Sequence, residues 1–143
     1  MRMRFDAPAD PGLYAFVHRL RVRFCETDAM GVVHHASYLA YLEEARVEYL
    51  RAIGRPYDRL RADGVEFPVV EAAVQYRRPL RFDDLVEVAV MVASADGATF
   101  QMNYVVTSEG AVSATAATVH GVVDGHGRPM RAPSWVRELV AGA

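Results

Sequence analysis

The chain has 143 residues, 52% hydrophobic and 24% charged, a balance that supports one globular domain with a sizeable core and no second one. A net charge of −2 gives no overall attraction to nucleic acid or to an anionic membrane, so neither is expected as a partner. All 16 basic residues are arginine, which excludes Schiff-base and lysine-base chemistry, and the single Cys25 excludes an internal disulfide.

Residues 1–12 combine arginines with acidic residues and prolines where an export signal needs an apolar core, so they predict a flexible leader and a cytoplasmic protein. Tyr14 to Phe24 mixes apolar and Arg positions in the manner of a first strand, with Arg23-Phe24-Cys25 continuing it. From Ser37, a predicted N-cap, Tyr38, Leu42, Ala45, Tyr49 and Ile53 recur on one helical face, and Gly54 supplies the stop. Tyr57 to Gly64 predicts a short second helical turn, with Arg59 and Asp63 spaced as an ion pair.

The second half changes period. Val70, Ala72, Val74 and Tyr76 alternate with polar or small residues, as do Val86, Val88, Val90 and Val92, then Phe100, Met102 and Tyr104, which predicts half-buried strands. Asp96-Gly97 and Glu109-Gly110 mark tight turns, and a last strand runs from Val112 to Val123. The order β-α-β-β-β-β, its strands joined by short turns, predicts an α+β antiparallel sheet with one long helix on a face. Residues 132–140 predict a short C-terminal helix. The longest apolar-rich stretch, Ala111 to Val123, is too short to span a bilayer as a helix.

The most informative stretch is Phe24 to Leu50. A carboxylate, Asp28, sits in a Gly-containing loop just before the long helix, near the positive end of the helix dipole and its unpaired N–H groups. Position by position, Thr27-Asp28, Gly31-Val32-Val33, His35, Ser37-Tyr38, Tyr41, Glu43, Ala45-Arg46 and Glu48 resemble the signature of the 4-hydroxybenzoyl-CoA thioesterase-like and YbgC-like acyl-CoA thioesterases of the hotdog fold. The resemblance implies a five-stranded antiparallel sheet wrapped around a central helix. It also implies Asp28 as the catalytic carboxylate, directing water onto a thioester or attacking it to give an anhydride. His35 stands where the YbgC-like branch carries His, and backbone N–H groups near His35 to Ser37 are expected to meet the oxyanion. Gly31, Val32, Val33, Ser37 and Tyr38 are expected around the substrate.

Isolated from this context, Asp28 reads as an ordinary turn residue and His35 as a half-buried histidine satisfied by a neighbour. His34 reads as a bystander: adjacent residues in extended chain point oppositely, and no ligand spacing suggests a metal site. Glu43, Arg46 and Glu48 taken alone read as a solvated helix face; with the repeated Glu/Arg pattern of the resembling families they read as helix packing or interface pairing rather than catalysis. Cys25 beside the histidines invites a thiol-nucleophile reading, which no precedent in the resembling families supports. Some YbgC-like members carry Tyr four residues before the acid, whereas this chain has Phe24. Arg77, Arg78 and Arg81 form the densest basic cluster, suited to coenzyme A phosphates or to a charged strand end. Ser94 to Thr99 lacks the basic residues that the hydroxybenzoyl relative uses to grip the nucleotide, so an acyl-carrier-protein substrate stays open beside acyl-CoA.

No cofactor is expected, coenzyme A being part of the substrate. A lone hotdog sheet leaves an edge and an acyl site open, so the resemblance implies a homodimer, doubled to a homotetramer. Two rival readings are a hotdog hydratase or dehydratase, whose His lies five residues after the acid where this chain has Val33, and a non-catalytic binder of an acyl carrier or an envelope complex.

Overall fold

The computed structural model describes residues 2–140; residue 1 and residues 141–143 of the expected single domain lie outside them. The strands are β1 (Phe16–Arg21), β2 (Val69–Tyr76), β3 (Leu85–Asp96), β4 (Thr99–Ser108) and β5 (Ala111–Gly121), and the helices are α1 (Ser37–Ala52), α2 (Tyr57–Ala62) and α3 (Ser134–Glu138). All pairings are antiparallel and the sheet order is β1-β3-β4-β5-β2. This is the expected hotdog architecture: α1 lies along the sheet and buries Tyr38, Tyr41, Leu42, Ala45, Tyr49 and Leu50 against Val86, Val88, Val90, Met102 and Val106.

Helix α1 consists largely of good helix formers, with no Gly or Pro inside it. It ends at Gly54, whose φ of +79° is left-handed; the Arg55 N–H reaches back to the Leu50 carbonyl at 2.8 Å and the Gly54 N–H to Arg51 at 3.1 Å, closing a Schellman cap. Ile53 lies beyond the buried face at 37% exposure. The N-terminal end differs from expectation. Ser37 is the first helical residue rather than the cap, Ala36 occupies the cap position, and the Ala36 N–H is taken by the His34 ring Nδ1 at 3.1 Å.

Three further expectations are corrected. Arg23 to Cys25 does not extend β1, because Phe24–Glu26 forms a 3-10 turn in which the Glu26 carboxylate takes the Arg23 N–H at 2.8 Å. In the second helical turn Arg61 pairs with Glu66 at 3.1 Å, and no ion pair joins Arg59 to Asp63. The expected flexible leader is tied down: the Gln101 carboxamide accepts the Arg4 N–H at 3.0 Å and donates to the Arg4 carbonyl at 2.6 Å. Gln101 and Asn103, on the polar phase of the alternation, are accordingly buried.

The expectation that β2 to β5 follow one another through short turns holds only for β3-β4-β5. Strand β2 pairs with β5 at the far edge, so residues 77–84 must cross from that edge past β5 and β4 to β3. As an edge strand, β2 leaves Val69, Val70 and Tyr76 at 48, 62 and 47% exposure, so its predicted apolar face is not covered within one chain.

Inside the core runs a polar chain that helix periodicity does not announce. Arg46, expected in helix packing or interface pairing, is buried and donates Nη1 to the Tyr104 hydroxyl at 3.2 Å. Tyr104 meets Thr118 at 2.6 Å, Thr118 meets His120 Nε2 at 2.8 Å, and His120 Nδ1 meets the Phe67 carbonyl at 3.2 Å. With His120 neutral, Nδ1 donates to the Phe67 carbonyl and Nε2 accepts from Thr118, so the direction runs Arg46 to Tyr104, to Thr118, to His120, to Phe67.

Burial, followed by the Arg46 charge, lowers the His120 pKa to about 4 and so keeps the imidazole neutral at neutral pH. An unfolded imidazole binds its proton near pH 6.5 and the folded one only near 4, so this contribution to stability is complete above that window and lost as pH falls through it. Unfolding by urea at pH 7.5 and pH 5 should differ by about 2 kcal/mol from this group. The difference should shrink in His120→Gln, which reproduces both hydrogen bonds without titrating; an unchanged difference would show that other groups carry it.

Candidate active site

The crossing segment meets the Asp28 loop. Thr27 and Val33 form an antiparallel bridge, the Asp28 N–H donates to the Val32 carbonyl at 2.8 Å, and Gly31, at φ +78°, closes the turn by donating to the Asp28 carbonyl at 2.9 Å. A side chain at residue 31 would meet no neighbour, but the left-handed backbone would strain it. The Val33 N–H then bonds the Leu80 carbonyl at 2.8 Å, fastening the loop to the crossing segment, and the His34 N–H bonds the Glu26 carbonyl at 2.8 Å. Burial tends to raise the Glu26 carboxyl, but its bonds from the Arg23 N–H, the Tyr41 hydroxyl and the Arg23 guanidinium hold it below its ordinary pKa.

Between loop, helix start and crossing segment lies an open cleft of about 330 Å³ lined by Asp28, Val32, Val33, His35, Tyr38, Tyr76, Arg77, Arg78 and Pro79. Seven of the ten residues expected at the site share this wall. Gly31, Ser37 and Arg81 do not: Gly31 shapes the turn, Ser37 packs toward Glu26, and Arg81 is held by its N–H to Asp84 Oδ2 at 2.8 Å, away from the cleft. Cys25 is exposed on its 3-10 turn and Phe24 packs edge-on against Phe82, both outside the cleft.

Within the cleft, Asp28 Oδ1 accepts the Met30 N–H at 2.8 Å, which fixes the carboxylate by a local turn. The expectation that His34 and His35 point oppositely is wrong. The chain turns here rather than extending, and the two rings stack with centroids 4.3 Å apart.

Sequence reasoning missed Tyr76, read only as a strand position, and Ser113. The Tyr76 hydroxyl donates to the His35 carbonyl at 2.9 Å and its ring meets Tyr38 edge-on at 4.9 Å. The Ser113 carbonyl takes both the Arg77 and the Arg78 N–H, at 2.8 and 3.1 Å, while its hydroxyl donates to the Arg78 carbonyl at 2.6 Å. With its one proton so used, Ser113 accepts from the Tyr38 hydroxyl at 3.2 Å. The kinked backbone at Arg77-Arg78 is thereby clamped to the first turn of α1. No motif signals these links, because they join residues up to 75 positions apart.

The model of the thioesterase-like superfamily matches residues 22–140, a span that contains the whole cleft. The chain belongs to the thioesterase-like superfamily. Among its relatives, the acyl-CoA thioester hydrolase YbgC of Escherichia coli O6:H1 is 42% identical over 78 residues, 54% of this chain and 58% of that protein. A hypothetical protein from Aquifex aeolicus is 40% identical in its crystal structure, covering 88% of this chain and 99% of its own, with a TM-score of 0.83. A gentisyl-coenzyme A thioesterase superposes with a TM-score of 0.80 at 29% identity, covering 85% of this chain and 99% of its own. Among the described residues of this superfamily member, no helix is long and apolar enough to cross a membrane.

Proposed function

We propose that this thioester hydrolase acts on acyl-CoA thioesters, with Asp28 as the catalytic carboxylate and the His35 N–H as the donor that polarises the thioester carbonyl. The observation that carries the reading is the cleft: Asp28, His35 and Tyr38 from one stretch share its wall with Arg77 and Arg78 at the start of the crossing segment, so a carboxylate residue, the helix start and two arginines border one open space. The expected donors can be narrowed. The Ala36 N–H goes to His34 Nδ1 and the Ser37 N–H to the His34 carbonyl at 2.9 Å, whereas the His35 N–H has no partner among the described residues.

In this reaction the carbonyl carbon–sulfur bond breaks and coenzyme A leaves as its thiolate. Asp28 either takes the proton of an attacking water or forms an anhydride that water then opens. Oxyanion charge developing on the carbonyl meets the His35 N–H, and Arg77 and Arg78 face the phosphates. Label in the Asp28 carboxylate after single-turnover hydrolysis in oxygen-18 water would identify an anhydride opened at the Asp28 carbonyl, since general-base attack puts the labelled oxygen only in the product acid.

Steady-state assays on acyl-CoAs from acetyl to palmitoyl, with benzoyl- and hydroxybenzoyl-CoA and an acyl carrier protein alongside, should reveal hydrolysis of at least one thioester. Silence across the panel would favour the non-catalytic binding reading. We assign the active form to a homodimer, doubled to a tetramer, because β2 leaves an apolar strand edge that a single chain does not cover. Light scattering at micromolar concentration should give at least twice the 15.8 kDa chain mass. An active, strictly monomeric species would overturn the assembly.

A further inference from the structure

We infer that His34 and Tyr76 are positioning residues that together aim the His35 N–H into the cleft. The inference rests on the reading of that N–H as the carbonyl-polarising donor. It starts from the two peptide planes that flank His35. In the plane between His34 and His35, the carbonyl is held by the Ser37 N–H at 2.9 Å, and the N–H is the group left without a partner. In the plane between His35 and Ala36, both ends are held: the carbonyl by the Tyr76 hydroxyl at 2.9 Å and the N–H by the His34 ring at 3.1 Å.

The two holding groups come from different places. Tyr76 is the last residue of β2, 41 positions away, and its ring is braced edge-on against Tyr38. His34 immediately precedes His35, and its ring lies against the His35 ring with centroids 4.3 Å apart. Accepting from Ala36 requires Nδ1 to be unprotonated, so the ring proton of neutral His34 sits on Nε2. His34 thus does two things that a bystander would not: it stacks on the side chain of His35, and it caps the N–H that would otherwise compete with the His35 N–H for a carbonyl oxygen.

An oxyanion donor works by being in place before charge develops. Rotation of either plane about its neighbours moves the His35 N–H; the first plane is tied to helix α1 through the Ser37 N–H, but neither end of the plane between His35 and Ala36 has a backbone partner to resist that. The Tyr76 hydroxyl and the His34 imidazole supply the resistance. Neither side chain reaches the reacting atoms in this account; both act through the His35 backbone.

The test uses the full-length protein and the best thioester of the panel. Tyr76→Phe removes only the hydroxyl, His34→Phe keeps a ring for stacking but loses the acceptor, and His34→Asn keeps a short-range acceptor. Complete loss of an oxyanion donor costs about two to three orders of magnitude in rate, so misdirecting one should cost roughly tenfold. Tyr76→Phe and His34→Phe should therefore lower kcat roughly tenfold with KM within about twofold, while His34→Asn recovers most of the loss.

A second readout separates positioning from general loosening. The carbonyl stretch of a bound carbon-13 ketone analogue, in which methylene replaces the thioester sulfur, should rise in frequency in the two damaging variants and return toward wild type in His34→Asn. Unchanged kcat, or a fall in kcat with an unmoved carbonyl band, overturns the inference while leaving the catalytic reading intact. Full activity of Asp28→Asn sinks the catalytic reading itself, so the two failures are distinguishable.

Discussion

Asp28→Asn is expected to lower thioester turnover by at least about a hundredfold while leaving the fold and substrate affinity nearly unchanged. The substitution keeps the side-chain oxygen that accepts the Met30 N–H at 2.8 Å, so the turn from Asp28 to Gly31 survives. What disappears is the carboxylate as base or nucleophile. His35→Ala should cost less, because the backbone donor remains when the imidazole is removed. Stopped-flow or steady-state assays of both variants, with circular dichroism to verify folding, decide the ranking. Near wild-type turnover in Asp28→Asn would falsify the assignment, and a larger loss in His35→Ala would make the imidazole the primary base.

The second large effect is on stability. Tyr104→Phe should lower unfolding free energy by about 2–3 kcal/mol, since one hydroxyl links a buried guanidinium to a buried threonine. Tyr104 is fully buried; its oxygen accepts from Arg46 at 3.2 Å and its proton goes to Thr118 at 2.6 Å. Removing it leaves the Arg46 charge less satisfied than before, in a setting where Arg46 Nε already has no partner. Burial opposes the guanidinium's charge but is outweighed by Tyr104 and Tyr57, whose contacts hold the Arg46 pKa above its ordinary value. For a chain of this size a loss of that magnitude lowers the melting temperature by about 5–10 °C. Calorimetry showing a fall of less than about 1 °C would mean the chain of hydrogen bonds contributes little.

The rest of the core follows ordinary packing rules. Leu42, on α1 and 1% exposed, faces the sheet on the periodic stripe visible in the sequence. Arg46, four positions after Leu42, lies on the same buried face, so its burial agrees with the helix period while its polar partners do not follow from it. A charged residue four positions after Leu42 announces nothing of the hydroxyl that waits for it on β4.

Much of the protein was legible from local pattern alone. The period-2 runs specify β3, β4 and β5 because each strand needs an apolar face, and Glu109-Gly110 specifies the turn between two of them because both residues adopt positive φ. The stripe of α1 and the glycine after it are likewise local, as is the Asp28 turn, which bonds within four residues of itself. Tertiary structure decided everything that depends on long-range partners. Strand β2 sits at the far edge against β5 instead of beside β3, and this sends residues 77–84 across to the Asp28 loop and puts Arg77 and Arg78 into the cleft while turning Arg81 out of it. Tyr76 on the His35 carbonyl, Ser113 beneath Arg78, Arg4 on Gln101 and Arg46 on Tyr104 have the same origin. Periodicity reports which face of an element is apolar, because burial free energy depends on that face alone; it carries no information about which polar group on a distant strand will stand within 3 Å, because that is set by how the elements stack.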